Sequence, residues 1–420
     1  MAPVVTRGAR MVPALLRERR DFRRYWTGHT ISLFGDAITL IALPLVAVLV
    51  LDAGAAQMGY LAAAGLVPSL LFSVHAGAWV DRRARRRRIM IVADLGRAGL
   101  LATVPLAYAL GALTLGQLYV VAFLVGTLSV LFTVSDTTLF VALTPRDRYV
   151  EGNAVLNGSR ALSFVGGPNL GGLLVQFLSA PGALLADAAS FVASALFLGR
   201  ISPAEQPPDA DPRGNVRAGA RWILGSPVVR ASLLSGATIN FFNLAFHPLF
   251  VLYATRTLGI SPGTLGVILG SGAVGGVLGS LLAGRLARRL GIGPAYILGC
   301  LLSTAPLVLV PLAGGSRPLV LALLVGARFG SGLGVMVLDI CIGAIFAAMI
   351  PDRLRARVTG AFLAVNYGVR PLGSVFGGVL GSVIGLRPTL WIVTVGAVIG
   401  VLWLLPAPVS RLRTLPDAAR

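Results

Sequence analysis

The sequence predicts an all-α membrane protein of twelve transmembrane helices arranged as two six-helix bundles. Three observations predict it. First, 56% of the 420 residues are hydrophobic and only 12% are charged, with a mean hydropathy of +0.83, and no soluble core absorbs so much apolar surface. Second, the apolar residues fall into twelve runs, each long enough to supply the roughly 20 residues that carry a helix across a ~30 Å hydrocarbon layer. Third, two features recur at one offset. Ala76-Gly77 and the basic residues behind it end the second run, and Ala283-Gly284 with Arg288-Arg289 ends the eighth, 207 residues later. Pro145-Arg146-Asp147 precedes the fifth run and Pro351-Asp352-Arg353 the eleventh, at an offset of about 205. Six is an even number of crossings, so both copies enter from the same side as parallel repeats.

Taken in order, residues 1–24 carry seven arginines. The apolar run behind them is too long for a cleavable signal and lacks a small-residue cleavage site. Met11, Val12, Leu15 and Leu16 alternate with Arg17, Arg19 and Arg20. That pattern reads either as a short amphipathic helix on an anionic leaflet or as a start-transfer flank. Hydropathy and breakers then place helices at about 27–51, 58–80, 89–110, 115–142, 152–179 and 181–199. A polar stretch from Arg200 to Pro227 contains Pro207-Pro208-Asp209-Ala210-Asp211-Pro212 and reads as the linker between halves. Its second part, Val216 to Leu224 with Trp222, is expected as a helix lying on the membrane. Six more helices follow at about 229–255, 262–284, 292–314, 319–350, 358–385 and 387–405. The expected division is a cytoplasmic N-terminal segment (about 1–26), a bundle (27–199), a cytoplasmic linker (200–228), a second bundle (229–406) and a cytoplasmic tail (407–420).

All 36 basic residues are arginines, and the formal charge is +20. In a soluble protein this would suggest nucleic acid. Here the arginines concentrate in short loops of one face, so no nucleic-acid partner is expected. With both termini inside, 29 of the 36 arginines lie on the cytoplasmic side and three outside (Arg256, Arg317, Arg387). The chain is therefore expected in a bacterial cytoplasmic membrane, with anionic lipids against its cytoplasmic face. Cys300 and Cys341 lie inside apolar runs, so neither a disulfide framework nor a metal site is expected, and no cofactor.

Four arginines fall within the membrane: Arg97, Arg160, Arg328 and Arg370. Five aspartates do so as well: Asp36, Asp94, Asp136, Asp187 and Asp339. Charge inside a bilayer costs a few kcal/mol, so such residues are functional candidates. Asp36 lies about 14 Å into the first helix at the usual rise. It reads either as a proton-exchanging group or as a fixed partner of Arg160 or Arg370. Asp94 and Arg97, one turn apart, read as a self-neutralising pair. Asp187 reads as a packing residue. Asp136 and Asp339 are further proton-coupling candidates, as is Asp94. Arg160 and Arg370, at related places before Pro168 and Pro371, read as ion-pair partners or as contacts for an anionic substrate group. Asn240, Asn243 and His247 share the seventh helix; His75 is a weaker candidate than His247.

The densest charge lies between the second and third helices, where Asp81 to Arg88 holds six arginines and one aspartate. Gly77, Trp79, Val80, Asp81, Arg82, Arg85 and Arg86 resemble the loop signature of the major facilitator superfamily, with Ala84 in place of a glycine. The second copy keeps Gly284, Leu286, Arg289 and Gly291 but has Arg288 for the aspartate. Gly167, Pro168, Gly171 and Gly172 resemble the core of that superfamily's antiporter motif, with Ala154 and Ser163 at two upstream glycine positions. Phe22-Arg23-Arg24, Gly35-Asp36, Ala93-Asp94-Leu95 and Leu185-Ala186-Asp187 are similar to segments of its drug:proton antiporter group of macrolide and siderophore exporters. The fourth helix (Asp136) and the tenth (Asp339) depart from that group's pattern.

The resemblance implies the major facilitator fold, with helices 1, 4, 7 and 10 lining a central cavity. Asp36, Asp136 and Asp339 fall on three of them, and Asn240, Asn243 and His247 on the fourth. It implies secondary active export of an amphipathic small molecule (drug, antibiotic or secondary metabolite) by proton antiport with alternating access. A siderophore or lysolipid exporter, a uniporter and an importer remain open, and a non-transporting membrane sensor is a further alternative. It also implies that Gly77, Asp81, Arg82, Arg85 and Arg86 latch the cytoplasmic helix ends in one state. No enzyme is expected, since the chain lacks a nucleophile–base constellation. The glycines Gly270 to Gly276 resemble a nucleotide loop only superficially, without a preceding strand or a Lys-Ser/Thr behind them.

Overall fold

The computed structural model describes residues 13–81, 85–202 and 216–414. Twelve long helices dominate them. The first six are α1 (Arg20–Leu49), α2 (Ala55–Asp81), α3 (Arg86–Ala109), α4 (Leu115–Leu143), α5 (Tyr149–Leu178) and α6 (Ala180–Gly199). The second six are α7 (Pro227–Leu252), α8 (Pro262–Leu290), α9 (Ile292–Thr304), α10 (Arg317–Met349), α11 (Asp352–Ile384) and α12 (Leu386–Ile399). A π-turn, Tyr253–Thr257, extends α7, and 3-10 turns extend α9 and α12. Among the described residues eleven helices are long and apolar enough to span a membrane. The twelfth long helix, α11, has 33 residues. Arg355, Arg357, Arg370 and several glycines dilute its apolar content, because it packs between α2 and α7 rather than facing only lipid.

Proline lies inside α1 (Pro44), α2 (Pro68), α3 (Pro105), α5 (Pro168), α7 (Pro248) and α11 (Pro371). Each removes one backbone bond, which neighbouring helices make tolerable within a membrane. Helix starts carry ordinary caps: Thr114 accepts from the Gln117 amide, and Ser261 does so from Thr264 ahead of Pro262.

Two peripheral segments differ from expectation. The short helix Ala14–Glu18 buries Leu15 and Leu16 against the protein instead of laying them on a leaflet. The Leu15 amide donates to Glu151 at 2.8 Å, and Arg148 pairs with Glu18 at 2.7 Å, docking this helix on the start of α5. Met11 and Val12 lie outside the described residues. The linker helix Val216–Gly225 packs on α11, with Ile223 buried beside Val229, Val358 and Ala361. Of its described apolar side chains, Ile223 packs on protein, Trp222 is half-buried and Leu224 stays exposed.

Glycines set how the halves meet. A Cβ on Gly59 of α2 would stand 2.8 Å from the Gly378 Cα of α11, and one on Gly172 of α5 would stand 2.9 Å from the Gly266 Cα of α8. No side chain fits at either crossing. Gly59 and Gly266 are 207 residues apart, and Gly172 and Gly378 are 206 apart, so the two crossings are copies of one another. The same register pairs Arg160 with Asn366, correcting the expectation that Arg160 and Arg370 hold related places.

The apolar core is distributed unequally along the molecule. At the end away from the termini, one cluster joins both halves, with Ile41 and Leu45 of α1 in the same cluster as Phe246 and Phe250 of α7, Leu324 of α10 and Leu390 of α12. At the termini end the clusters separate. Phe22, Met90, Phe132 and Leu139 belong to the first half alone, and Tyr296, Val337 and Ile345 to the second alone. The halves therefore share a core at one end and part at the other. Arg256, extending α7, ties to Asp52 between α1 and α2 across the closed end.

Candidate functional site

The halves part at the termini end, where their apolar clusters are separate, and a gap lies between them. A polar stripe on α1 at helical spacing, Tyr25, His29, Ser32, Asp36 and Thr39, turns into the first half, with Tyr25, His29 and Ser32 buried and Asp36 exposed. Each member meets a charged or polar group from another helix of the first half.

At the centre lies Arg97 of α3. Its guanidinium is only 1% exposed and sits between two carboxylates. Asp94, one turn earlier and fully buried, is bound by Nη2. Asp36 of α1 is held by Nη1 at 3.2 Å. Ser32 and Ser129 each accept from Arg97 at 3.4 Å, and its Cζ lies 4.0 Å from the Phe191 ring centroid and 4.6 Å from that of Phe132. Asp94 and Arg97 do pair with one another, but the arginine also serves Asp36. The expected partners of Asp36, Arg160 and Arg370, are both engaged elsewhere.

Asp36 differs from its partners in being 46% exposed at its side chain. A carboxylate at mid-membrane depth cannot face hydrocarbon at such exposure, so it faces the gap between the halves. Gly35 beside it leaves room for Asp187 and Ser190 of α6, whose side-chain oxygens would have to shift for any larger residue there. Asp187 is buried, accepting from Thr39 of α1 and from Ser190 at 3.0 Å. That agrees with packing, through hydrogen bonds rather than apolar contact.

Nearer the termini end, Asp136 of α4 is buried and accepts from the Tyr25 hydroxyl at 2.6 Å. His29 Nδ1 stands 3.2 Å from the same oxygen, and the imidazole stacks on Phe132. Arg160 of α5 reaches Asp136 at 3.8 Å with half of its own side chain exposed. Residue-by-residue reading missed Tyr25 and His29. The signal that finds them is the i, i+4, i+7, i+11 polar stripe on an otherwise apolar helix.

The second half contributes differently. Asn240 of α7 donates to Asn366 of α11 at 3.0 Å and accepts from Arg370 Nε at 3.1 Å. Asn243 is half-buried; it is the repeat partner of Asp36, 207 residues on. His247 is exposed and touches the Phe246 ring edge. Asp339 of α10 is exposed, with no ion-pair partner within 4 Å among the described residues. Arg328 lies over the Phe250 ring. His75, exposed on α2, lies near its own Leu71 carbonyl and away from these groups.

The antiporter-motif glycines have separate contacts. Gly167 meets Ala37 and Gly171 meets Ile38, seating α5 on α1 beside Asp36, while Gly172 makes the crossing to α8. Of the latch candidates, Arg82 lies outside the described residues, as do the side chain of Asp81 and the surroundings of Gly77. Arg85, exposed, precedes α3, and Arg86 begins it. Among the described residues no three metal-ligating side chains converge.

Comparison with known proteins follows this geometry. The sequence profile of a family described as transmembrane secretion effectors matches residues 14–418. The multidrug efflux pump Tap of Mycolicibacterium fortuitum is 27% identical over 374 residues, covering 84% of this chain and 88% of that protein. The pump of the same name from Mycobacterium tuberculosis is 28% identical over 377 residues, covering 84% and 85%. Among solved structures, a bacterial homologue of the iron transporter ferroportin in an inward-facing state superposes with a TM-score of 0.73 at 17% identity, over 92% of this chain and 98% of the other. A bacterial homologue of the human lysosomal transporter Spinster, inward-facing and unoccupied, does so with 0.72 at 16% identity, over 93% and 96%. These structural likenesses concern the fold.

The geometry makes Arg97 the group whose loss is most costly. Arg97→Gln leaves two carboxylates without their cation, and removing one partner from a buried pair costs about 3–5 kcal/mol. Thermal unfolding of purified protein in detergent is expected to show a clearly lowered Tm for this variant, partly restored by adding Asp94→Asn. An unchanged Tm in Arg97→Gln would show that the pair is not a stabilising element.

Proposed function

The chain belongs to the transmembrane secretion effector family of the major facilitator superfamily, and from that membership we propose that it exports amphipathic small molecules in exchange for protons. Family and fold make it a multi-pass membrane transporter and not an enzyme. The observation that carries the finer reading is Asp36, a mid-membrane carboxylate exposed to the gap yet tied to a buried arginine.

With the arginine-rich end on the cytoplasmic side, as charge asymmetry requires, the conformation described above is inward-facing. Asp36 then meets the cytoplasm through the gap and releases its proton there, and the carboxylate pairs with Arg97. When the halves rock over the Gly59–Gly378 and Gly172–Gly266 crossings, the same carboxylate meets the outer side and is protonated. Arg97 then retains Asp94 alone. The charge state of one α1 residue is thus read by a guanidinium that touches α1, α3, α4 and α6. A substrate bound beside Asp36 and a proton on Asp36 compete, which is the requirement for exchange. The relatives named as multidrug efflux pumps support export. Asp136 with Tyr25 and Arg160, and Asp339 in the second half, are secondary proton sites in this scheme.

The loop from Gly77 to Arg86 is proposed as the cytoplasmic latch, closing helix ends in the outward-facing state. Its Asp81 has no equivalent in the second copy, where Arg288 stands. Anionic lipid against the flanking arginines adds an anchoring role.

Two measurements test this reading. In proteoliposomes, dye and antibiotic transport is expected to follow an imposed pH gradient, and Asp36→Asn is expected to lose the gradient-driven part while remaining in the membrane. Transport indifferent to the gradient, or normal gradient-driven transport by Asp36→Asn, removes the antiport mechanism. Asp81→Ala is expected to insert normally yet slow transport by about tenfold or more, the effect of a ~1.4 kcal/mol imbalance between states. Wild-type rates in that variant would reduce the loop to an anchor.

A further inference from the structure

The second half holds a cation whose hydrogen-bonding capacity is only partly used. Arg370 lies past the middle of α11, half-buried at the wall of the gap. Its Nε donates to the Asn240 side-chain carbonyl at 3.1 Å, and its guanidinium lies over the Tyr367 ring with Cζ 4.4 Å from the centroid. Position and plane are therefore both fixed. Both amide oxygens beside it are already engaged: Asn240 Oδ1 accepts from Arg370 Nε and Asn366 Oδ1 accepts from Asn240 Nδ2, while the amide nitrogens donate to the Gly236 and Phe362 carbonyls. Among the described residues, neither Nη of Arg370 has an acceptor within hydrogen-bond distance and no carboxylate lies within 4 Å. Asp339, the acidic residue within electrostatic reach, stops short of an ion pair. A guanidinium inside a membrane protein with its outer edge unpaired is costly unless something else supplies the acceptor.

The contrast with Arg97 is instructive. That arginine is buried and both of its Nη groups already donate to protein oxygens, so its forked edge is closed to a ligand. Arg370 is held by its inner nitrogen and its face, which leaves the two-pronged Nη edge, the edge that matches a pair of oxygens in one plane. The repeat register gives the same division. Asp36 of the first half corresponds to neutral Asn243 in the second, and Arg160 to neutral Asn366.

We propose that Arg370, positioned by Asn240 and Tyr367, forms a subsite for a carboxylate or an equivalent planar two-oxygen acceptor of the transported molecule. This deepens the export reading by naming a substrate feature, and it rests on that reading for its physiological meaning. The first half then handles the proton through Asp36 and Arg97, and the second half orients the substrate. Asn366 acts on the substrate only through Asn240.

Equilibrium binding to the purified full-length protein in detergent tests the subsite without any gradient. The probes are rhodamine B, which carries a free carboxylate, and its methyl ester, which keeps the ring system and loses the anionic oxygen pair. Wild-type protein is expected to bind the acid about tenfold more tightly than the ester, in the range of one charge-assisted contact. Arg370→Gln is expected to bring that ratio close to unity. Arg370→Lys, which keeps the charge without the fork, is expected to retain only part of it. Because both probes are measured on the same sample, any misfolded fraction cancels in the ratio. A wild type that binds the ester as tightly as the acid, or binds neither, overturns the proposal, as does an undiminished ratio in Arg370→Gln. Gradient-driven transport of the ester is the separate check on the export reading. Its failure with the acid preference intact would count against export and leave the subsite standing.

Discussion

Everything at the centre of this molecule depends on one requirement: the Arg97 guanidinium is out of reach of water and must be neutralised there. Asp94 meets that requirement from the same helix, one turn away. Asp36 meets it from α1, and unlike Asp94 it also meets the gap. The result is a buried cation with one permanent counter-charge and one that the surroundings can remove. Two rings, Phe132 and Phe191, and two hydroxyls, Ser32 and Ser129, keep the guanidinium in place whichever state Asp36 is in. Under the proposed exchange, a proton gained or lost at Asp36 would become a change of force among four helices. Coupling needs such a two-state element.

The scaffold is symmetric where it moves and asymmetric where it does chemistry. Close crossings at Gly59–Gly378 and Gly172–Gly266 repeat almost residue for residue, which gives the proposed rocking of one half on the other equivalent contacts on both flanks. The ionisable groups do not repeat. Asp36 corresponds to Asn243 in the other half, and the cation paired with Asp136 corresponds to an amide. Duplication supplied two frames, and substitution gave them separate tasks. The shared apolar core at the closed end is what the proposed alternate state would have to break, parting α1 from α7, α10 and α12.

The fold was legible because a membrane imposes it. Apolar runs of spanning length, arginine-rich loops and a repeated offset leave few arrangements, and the helices lie where hydropathy places them to within about seven residues, α1 starting at Arg20 rather than 27 and α8 ending at Leu290 rather than 284. The site was legible in kind but not in pairing. Depth identified Asp36, Asp94, Asp136 and Asp339 as costly, yet sequence distance suggested Arg160 or Arg370 as the partner of Asp36. Only the packing in three dimensions, with α1 and α3 both seated on α6, shows Arg97 serving both acids. Tyr25 and His29 escaped because each is unexceptional alone; their stripe on α1 becomes meaningful once Asp136 is seen opposite. Leu15 and Leu16 were ambiguous between lipid and protein, because an amphipathic face does not say what covers it, and Glu151 settles the matter only in three dimensions.

The central claim is that Asp36, read by Arg97, carries the exchanged proton. It is tested most directly by counting protons in detergent-solubilised protein as a transported dye binds, with a pH indicator in weakly buffered solution near neutrality. Wild-type protein should release up to about one proton per dye bound, and Asp36→Asn should release none while still binding dye. Equal release from both proteins, or none from the wild type, would contradict the account.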